Sequence, residues 1–253
     1  MDERTNYNSS APDLSEDELN AAALEVFVCR AVNHRMIRYL ADAAFNVIQC
    51  DPSMMPSPPT TGLRSRVASR PETPPPRAVR PEDGGLPSLR EFITRLVILS
   101  NVQVRTLMST LVYLDRVKLR LLPTDKGLRC ARHRIFLASL ILAAKYLNDH
   151  HPKNGHWASY SNMHTSAYSF SLTRTEVNMM EKQLLSLLDW DLRISEEDLY
   201  RELDYFLSPL RDEIRTRRAR LTGKIQRQRE EEEEEEDPPR REPEASLVRR
   251  HIF

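Results

Sequence analysis

Lys145 and Glu181 are the charged residues of this chain that stand where apolar ones would be expected, and a lysine beside a carboxylate can hold free backbone carbonyls and amides. Lys145 follows Ala138, Ile141 and Leu142 along one face of the apolar segment RIFLASLILAAKYLND (134–149). Glu181 lies between Val177 and Leu185, at i−4 and i+4 of a second apolar stripe. Two readings are open. In one, Lys145 reaches water from a helix end and Glu181 caps or pairs locally, with Lys182 or Arg193 close in sequence. In the other, the two charges flank an exposed groove. There Leu142, Tyr146, Leu185 and Trp190 receive the apolar face of a partner's helix while the charges bind its open end.

Catalytic constellations are missing from the sequence. The chain has six glycines, no phosphate-binding glycine loop, and no H-E-x-x-H, nucleophile elbow or C-x-x-C. His150, His151, His156 and His164 are crowded, but they fall in a loop without a helical i, i+4 pair and read as solvent-facing rather than metal-binding. Cys29, Cys50 and Cys130 are odd in number and widely spaced, which fits a reducing compartment rather than a disulfide framework. Formal charge is zero overall, so a charge-driven partner must be met by a local patch. No apolar run approaches 20 residues, and MDERTNYNSS is unlike a signal peptide. The expectation is a soluble, intracellular protein with no cofactor, no metal, no membrane contact and no direct nucleic-acid contact.

The elements that must position the two charges can be read from periodicity. The 134–149 segment is apolar around nearly its whole circumference, so other helices must wrap it. Ser88 stands three residues before Glu91, and Thr173 before Glu176, each a reciprocal cap opening an apolar helix; Ser195 with Asp198 is a relative of the same device. With TLMSTLVYLDRVKLRL (106–121), these predict five helices between 88 and 207, interrupted at Pro123, Gly127, Pro152 and Gly155. Leu24, Phe27, Val28, Val32, Met36, Ile37 and Leu40 predict one long amphipathic helix over 18–48. No segment shows clear two-residue alternation, so the fold class is all-α. Ten of the 17 prolines fall between 51 and 88, marking a disordered linker. The chain ends in a basic run (211–229) and an acidic one (230–237), read as a solvated tail, with RTRRAR as a candidate nuclear-import signal.

These residues resemble the cyclins, and within them the fungal Pcl-type cyclins that partner a Pho-type cyclin-dependent kinase. YLDR (113–116) is similar to the cyclin-box signature, LILAAKYLND (140–149) to the lysine-bearing helix, and MEKQLLSLLDWDLRI (180–194) to the glutamate-bearing helix and its exit. RIFLAS, KNGHWASYS and LLDWDL are similar to Pcl-type sequences in particular. The resemblance implies a single five-helix cyclin box over 88–208. An additional N-terminal helix (18–50), disordered flanks at 1–17 and 51–87, and the charged tail at 209–253 complete the expected organisation.

The resemblance also implies roles. The protein would be a non-catalytic activator of a Ser/Thr protein kinase, acting in G1/S progression or morphogenesis, in nucleus and cytoplasm, with the kinase and its substrates as partners. Lys145 and Glu181 would hydrogen-bond the kinase near its C-helix, and Leu142, Tyr146, Leu185 and Trp190 would form the pocket for that helix. Asp115 matches a buried acid normally paired with an arginine; that arginine is not at the usual place, and Arg90 or Arg95 could substitute. Arg134 replaces an aliphatic residue of many cyclins. Ser57, Thr73 and Ser208, each before a proline, are candidate sites for a proline-directed kinase. The alternative is a cyclin-fold transcription or nucleic-acid-binding module.

Overall fold

The structure, a computed structural model, describes residues 14–51, 85–122 and 124–236. Its elements run α1 (Glu16–Val28), α2 (His34–Phe45), β1 (Gln49–Cys50), α3 (Leu89–Ser100), α4 (Val104–Arg120), β2 (Lys126–Gly127), α5 (Ala131–Leu147), α6 (Asn154–Tyr160), β3 (Met163–His164), β4 (Ser169–Phe170), α7 (Arg174–Leu187) and α8 (Glu196–Glu236). The architecture is all-α, with two-residue strand pairs serving only as clips. Most of the linker expected at 51–87 lies outside the described residues.

The apolar segment forms α5, and Phe136 through Ala144 are all buried. α4 and α7 lie along it, and α3 and α2 close the remaining sides. Side-chain caps start α3, α7 and α8, while α4 has none. Ser88 and Glu91 cap α3 reciprocally, Thr173 and Glu176 cap α7, and Ser195 Oγ accepts from the Asp198 amide at the head of α8. Glu176 does double duty, because Arg134 on α5 donates to its Oε1 at 2.5 Å. Arg134 therefore ties α5 to the cap of α7.

The single helix expected over 18–48 is two helices. Asn33 adopts an extended backbone and its side-chain oxygen takes the amides of Arg35 and Met36, which starts α2 afresh after a turn at Cys29 and Arg30. The break lets one apolar stripe serve two surfaces. α1 lies on α8, where Phe27 meets Phe206 at 5.2 Å between ring centroids, and α2 packs on α3, α4 and α5. A parallel clip, Gln49–Cys50 with Lys126–Gly127, then ties these helices to the approach of α5. Gly127 is obligatory there: a Cβ would stand 2.6 Å from Ala131 Cβ and 3.1 Å from Ile48 Cδ1.

Two further differences concern the box. A short α6 occupies the stretch read as an interruption and is anchored by the fully buried Trp157. The last helix does not stop at Ser208; α8 passes through Pro209 and runs for 41 residues, because a proline removes one donor while Phe206, Leu207 and Leu210 on either side stay buried.

Within YLDR, Tyr113 and Arg116 do the structural work. Tyr113 donates to the Leu192 carbonyl at 2.8 Å, while Arg116 donates to the carbonyls of Asp191 and Arg193 and to Asp198 Oδ2 at 2.9 Å. They pin the α7–α8 connection against α4. Arg116→Ala leaves the carbonyls of Asp191 and Arg193 without this donor and takes from Asp198 its tie to α4, and should cost about 2–3 kcal/mol in urea unfolding. His133, buried between Phe92 and Phe170, donates Nε2–H to the Pro87 carbonyl at 2.8 Å, just ahead of the α3 cap. Burial, with the Arg132 charge and against that hydrogen bond, pulls its pKa from 6.5 down to about 4. The unfolded chain thus binds a proton that the native chain refuses. Stability should be full above pH 6.5 and fall by roughly 3 kcal/mol as pH drops towards 4, a slope that His133→Phe removes in denaturant titrations at several pH values.

Candidate functional site

Lys145 sits in the last turn of α5, past the point where the surrounding helices enclose it, and Glu181 lies one turn beyond Val177 on α7. Their side chains meet: Lys145 Nζ donates to Glu181 Oε1 at 2.5 Å, with 30% and 14% of the two side chains exposed. Neither Lys182 nor Arg193 pairs with Glu181. The second oxygen, Oε2, accepts from Asn154 Nδ2 at 2.6 Å, and the same amide group donates to Asn178 Oδ1 at 2.8 Å. Helices α5, α6 and α7 converge on one carboxylate. Asn154 and Asn178 were not singled out in the sequence, since α6 itself was unread; the one available signal was an asparagine within KNGHW, where a helix could begin.

Aromatic surface is exposed at the ends of the same two helices. Tyr146, the next residue of α5, is 47% exposed, and its phenol is close enough to perturb Tyr113, whose hydroxyl holds the Leu192 carbonyl. Trp190, two residues earlier, is 70% exposed. Both Asp189 (φ 53°) and Trp190 (φ 61°) lie in the left-handed region, a conformation disfavoured for bulky side chains, and the Trp190 amide closes the end of α7 by donating to the Leu185 carbonyl at 2.9 Å. That turn throws the indole outward. Leu185 is half-buried.

Leu142 does not belong to this surface. It is 2% exposed, sealed in the core one turn before Lys145, and cannot receive a partner's side chain. Its place on the stripe was legible, but which arc of α5 the neighbours cover was not. On the other flank of Lys145 a cleft of about 580 Å³ is lined by His151, Lys153, His156 and Arg174, so the surroundings of the pair are basic on that side. His164 instead bonds Ser169 Oγ across the β3–β4 clip, His150 is exposed, and among the described residues no three His, Cys, Asp or Glu gather as metal ligands would.

Asp115 is half-buried rather than buried, and no arginine pairs with it among the described residues. Arg95 donates to the Tyr160 carbonyl and Arg90 is exposed, so neither substitutes. One position along α4 turns the side chain by about 100°. Asp115 therefore faces a cavity of about 340 Å³ that it shares with Asp42, Lys118 and Glu202, where burial and the Asp115 charge push the Glu202 carboxyl up. Ser208 lies half-buried inside α8, and Ser57 and Thr73 lie outside the described residues.

Comparison with known proteins gives concordant matches. Residues 82–193 match the family described as Cyclin, N-terminal domain. That range holds α3 to α7, five helices, and ends before α8. Three proteins of Saccharomyces cerevisiae are similar to this chain. PHO85 cyclin-1 is 37% identical over 193 residues, 76% of this chain and 60% of its own length. PHO85 cyclin-9 is 45% identical over 128 residues, 51% and 40%. PHO85 cyclin-2 is 36% identical over 200 residues, 77% and 53%. The chain thus spans between two-fifths and three-fifths of the relatives it matches. Surface and core should separate in urea unfolding: Trp190→Ala should change stability by less than about 0.5 kcal/mol, while Leu142→Ala should lose about 2–5 kcal/mol.

Proposed function

The chain belongs to the cyclins, of the type that the PHO85 cyclins represent, and from that premise we propose that it is a regulatory subunit that binds and activates a PHO85-type cyclin-dependent kinase. The observation that carries the reading is the Lys145–Glu181 pair, joined across two helices and left partly open, with exposed Tyr146 next to the lysine on α5 and exposed Trp190 just past the end of the helix that carries Glu181. One ammonium hydrogen is engaged by Glu181, which leaves two for the free carbonyls of a partner. Tyr and Trp are the side chains that most often anchor an interface, since each offers a large rigid area with little rotamer entropy to lose.

Activation follows from kinase physics. Phosphoryl transfer needs a lysine–glutamate ion pair inside the kinase, and that pair forms only when the C-helix is turned inward. A partner that binds the inward state more tightly shifts the population by its differential affinity, and about 5.5 kcal/mol takes 1:99 to 99:1. An interface of about 1,600 Å² with a few central anchors can supply that. In this reading the protein contributes binding energy and no catalytic group, and kinase substrates meet it only in the complex. Its action in nucleus and cytoplasm, in G1/S progression or morphogenesis, is part of the same proposal.

The double variant Lys145→Ala/Glu181→Ala should keep its far-ultraviolet circular dichroism and its cooperative unfolding. It should lose at least tenfold in kinase affinity by pull-down titration and fail to raise kinase activity. Unchanged binding and activation would sink the assigned surface.

A further inference from the structure

The cleft on the far flank of Lys145 is walled by cations and amides, with no carboxylate among the described residues that line it. It encloses about 580 Å³ between α6 and the first turns of α7, and Lys145, Lys153, Arg174, His156, Asn154 and Asn178 all face it. In a chain whose formal charge is zero, so much of one sign in one recess marks a local demand for an anion.

Two of these cations stand where a helix tolerates them least. Arg174 is the first residue of α7, at the positive end of its dipole, and Lys153 is the N-cap of α6, a position that favours Ser, Thr, Asp or Asn, where it makes no capping bond. Neither forms an ion pair among the described residues. Lys145 differs, because Glu181 already answers its charge. The Cδ of Arg174 lies 4.0 Å from where a Cβ on Gly155 would stand, which brings the arginine to the first turn of α6, the turn that Lys153 opens. Asn178 Oδ1 accepts from Asn154, so the amide hydrogens of Asn178 are left to donate.

We propose that this cleft binds the phosphate of a phosphorylated serine or threonine on a partner protein, through Lys153 and Arg174 with the Asn178 amide as a further donor. Two unanswered positive charges match a phosphomonoester, which carries about −1.5 to −2 at pH 7 and offers three acceptor oxygens. Arg174 can engage two of those oxygens with its planar fork, while Lys153 supplies a point charge. An aspartate or glutamate brings one charge and leaves a cation over. Duplex nucleic acid fits less well, because it presents a charge about every 1.7 Å along its axis and these cations are gathered in one recess rather than along a track. The proposal goes beyond the kinase reading and does not depend on it, since neither Lys153 nor Arg174 belongs to the Lys145–Glu181 pair.

Retention of the purified full chain on peptide beads is the test, with three degenerate libraries immobilised in parallel, alike except for a central phosphothreonine, threonine or glutamate. At about 0.1 M salt the phosphothreonine beads should hold at least about fivefold more protein than either of the others, since only they offer each cation a charge-assisted contact. Free inorganic phosphate should compete. The variant K153Q/R174Q should fall to the threonine level while keeping its far-ultraviolet circular dichroism and unfolding midpoint, whereas R217Q/R220Q/K224Q, which strips the basic row of α8, should be held as the wild type is. Equal retention on phosphothreonine and glutamate overturns the proposal, and so does the lack of any excess over threonine. Retention that K153Q/R174Q keeps, or that R217Q/R220Q/K224Q loses, places the phosphate elsewhere and overturns it as well.

Discussion

A helix that has no polar side must be enclosed along its length, and the enclosure of α5 sets most of what this molecule can be. Phe136 through Ala144 leave no arc for water, so α4, α7, α3 and α2 each spend their apolar stripe on it. Their order around α5 leaves its C-terminal turn as the place where the wrapping ends. Lys145 stands at that opening, where its hydrocarbon stem stays against the core and its ammonium emerges. The site is a consequence of the packing.

Polar ties then fix the geometry that apolar contact alone would leave loose. Arg116 holds two carbonyls and Asp198, Arg134 holds Glu176, and Asn154 and Lys145 share Glu181. Each joins separate elements; the first two combine an ionic partner with a cap or a carbonyl, and Glu181 combines one with a side-chain amide. Burial pushes the Asp198 carboxyl up, but the Ser195 amide, Arg201 and Arg116 outweigh it and hold the group below the usual range. The same is true of Glu176, where Thr173 and Arg134 overcome burial. Carboxylates that hold helix starts therefore also hold the helices to one another.

The Lys145–Glu181 pair differs from these ties in its surroundings. Exposed Tyr146 follows the lysine on α5, and the helix that carries Glu181 ends in a turn with two consecutive left-handed residues, the second an exposed tryptophan. A strained turn that presents an exposed indole makes sense as a binding device. α8 shows a related economy at larger scale: its first half closes the fold over α1, and its second half carries the same stripe outward.

The helical class, the wholly buried α5, the capping boxes at Ser88, Thr173 and Ser195, and the two charges at 145 and 181 were all legible in the sequence, because period, cap chemistry and a lysine in an apolar run are local signals. What the sequence left undecided depends on where neighbours stand. The split at Asn33 needed α8 to claim Phe27. Leu142 and Tyr146, four residues apart on one helix, differ only in whether another helix covers them. Asp115 and Arg116 exchanged the role of core tie through one 100° step. α8 passed a proline because flanking leucines were already held. Spacing names a face of a helix, but only the packed neighbours determine which part of that face meets water.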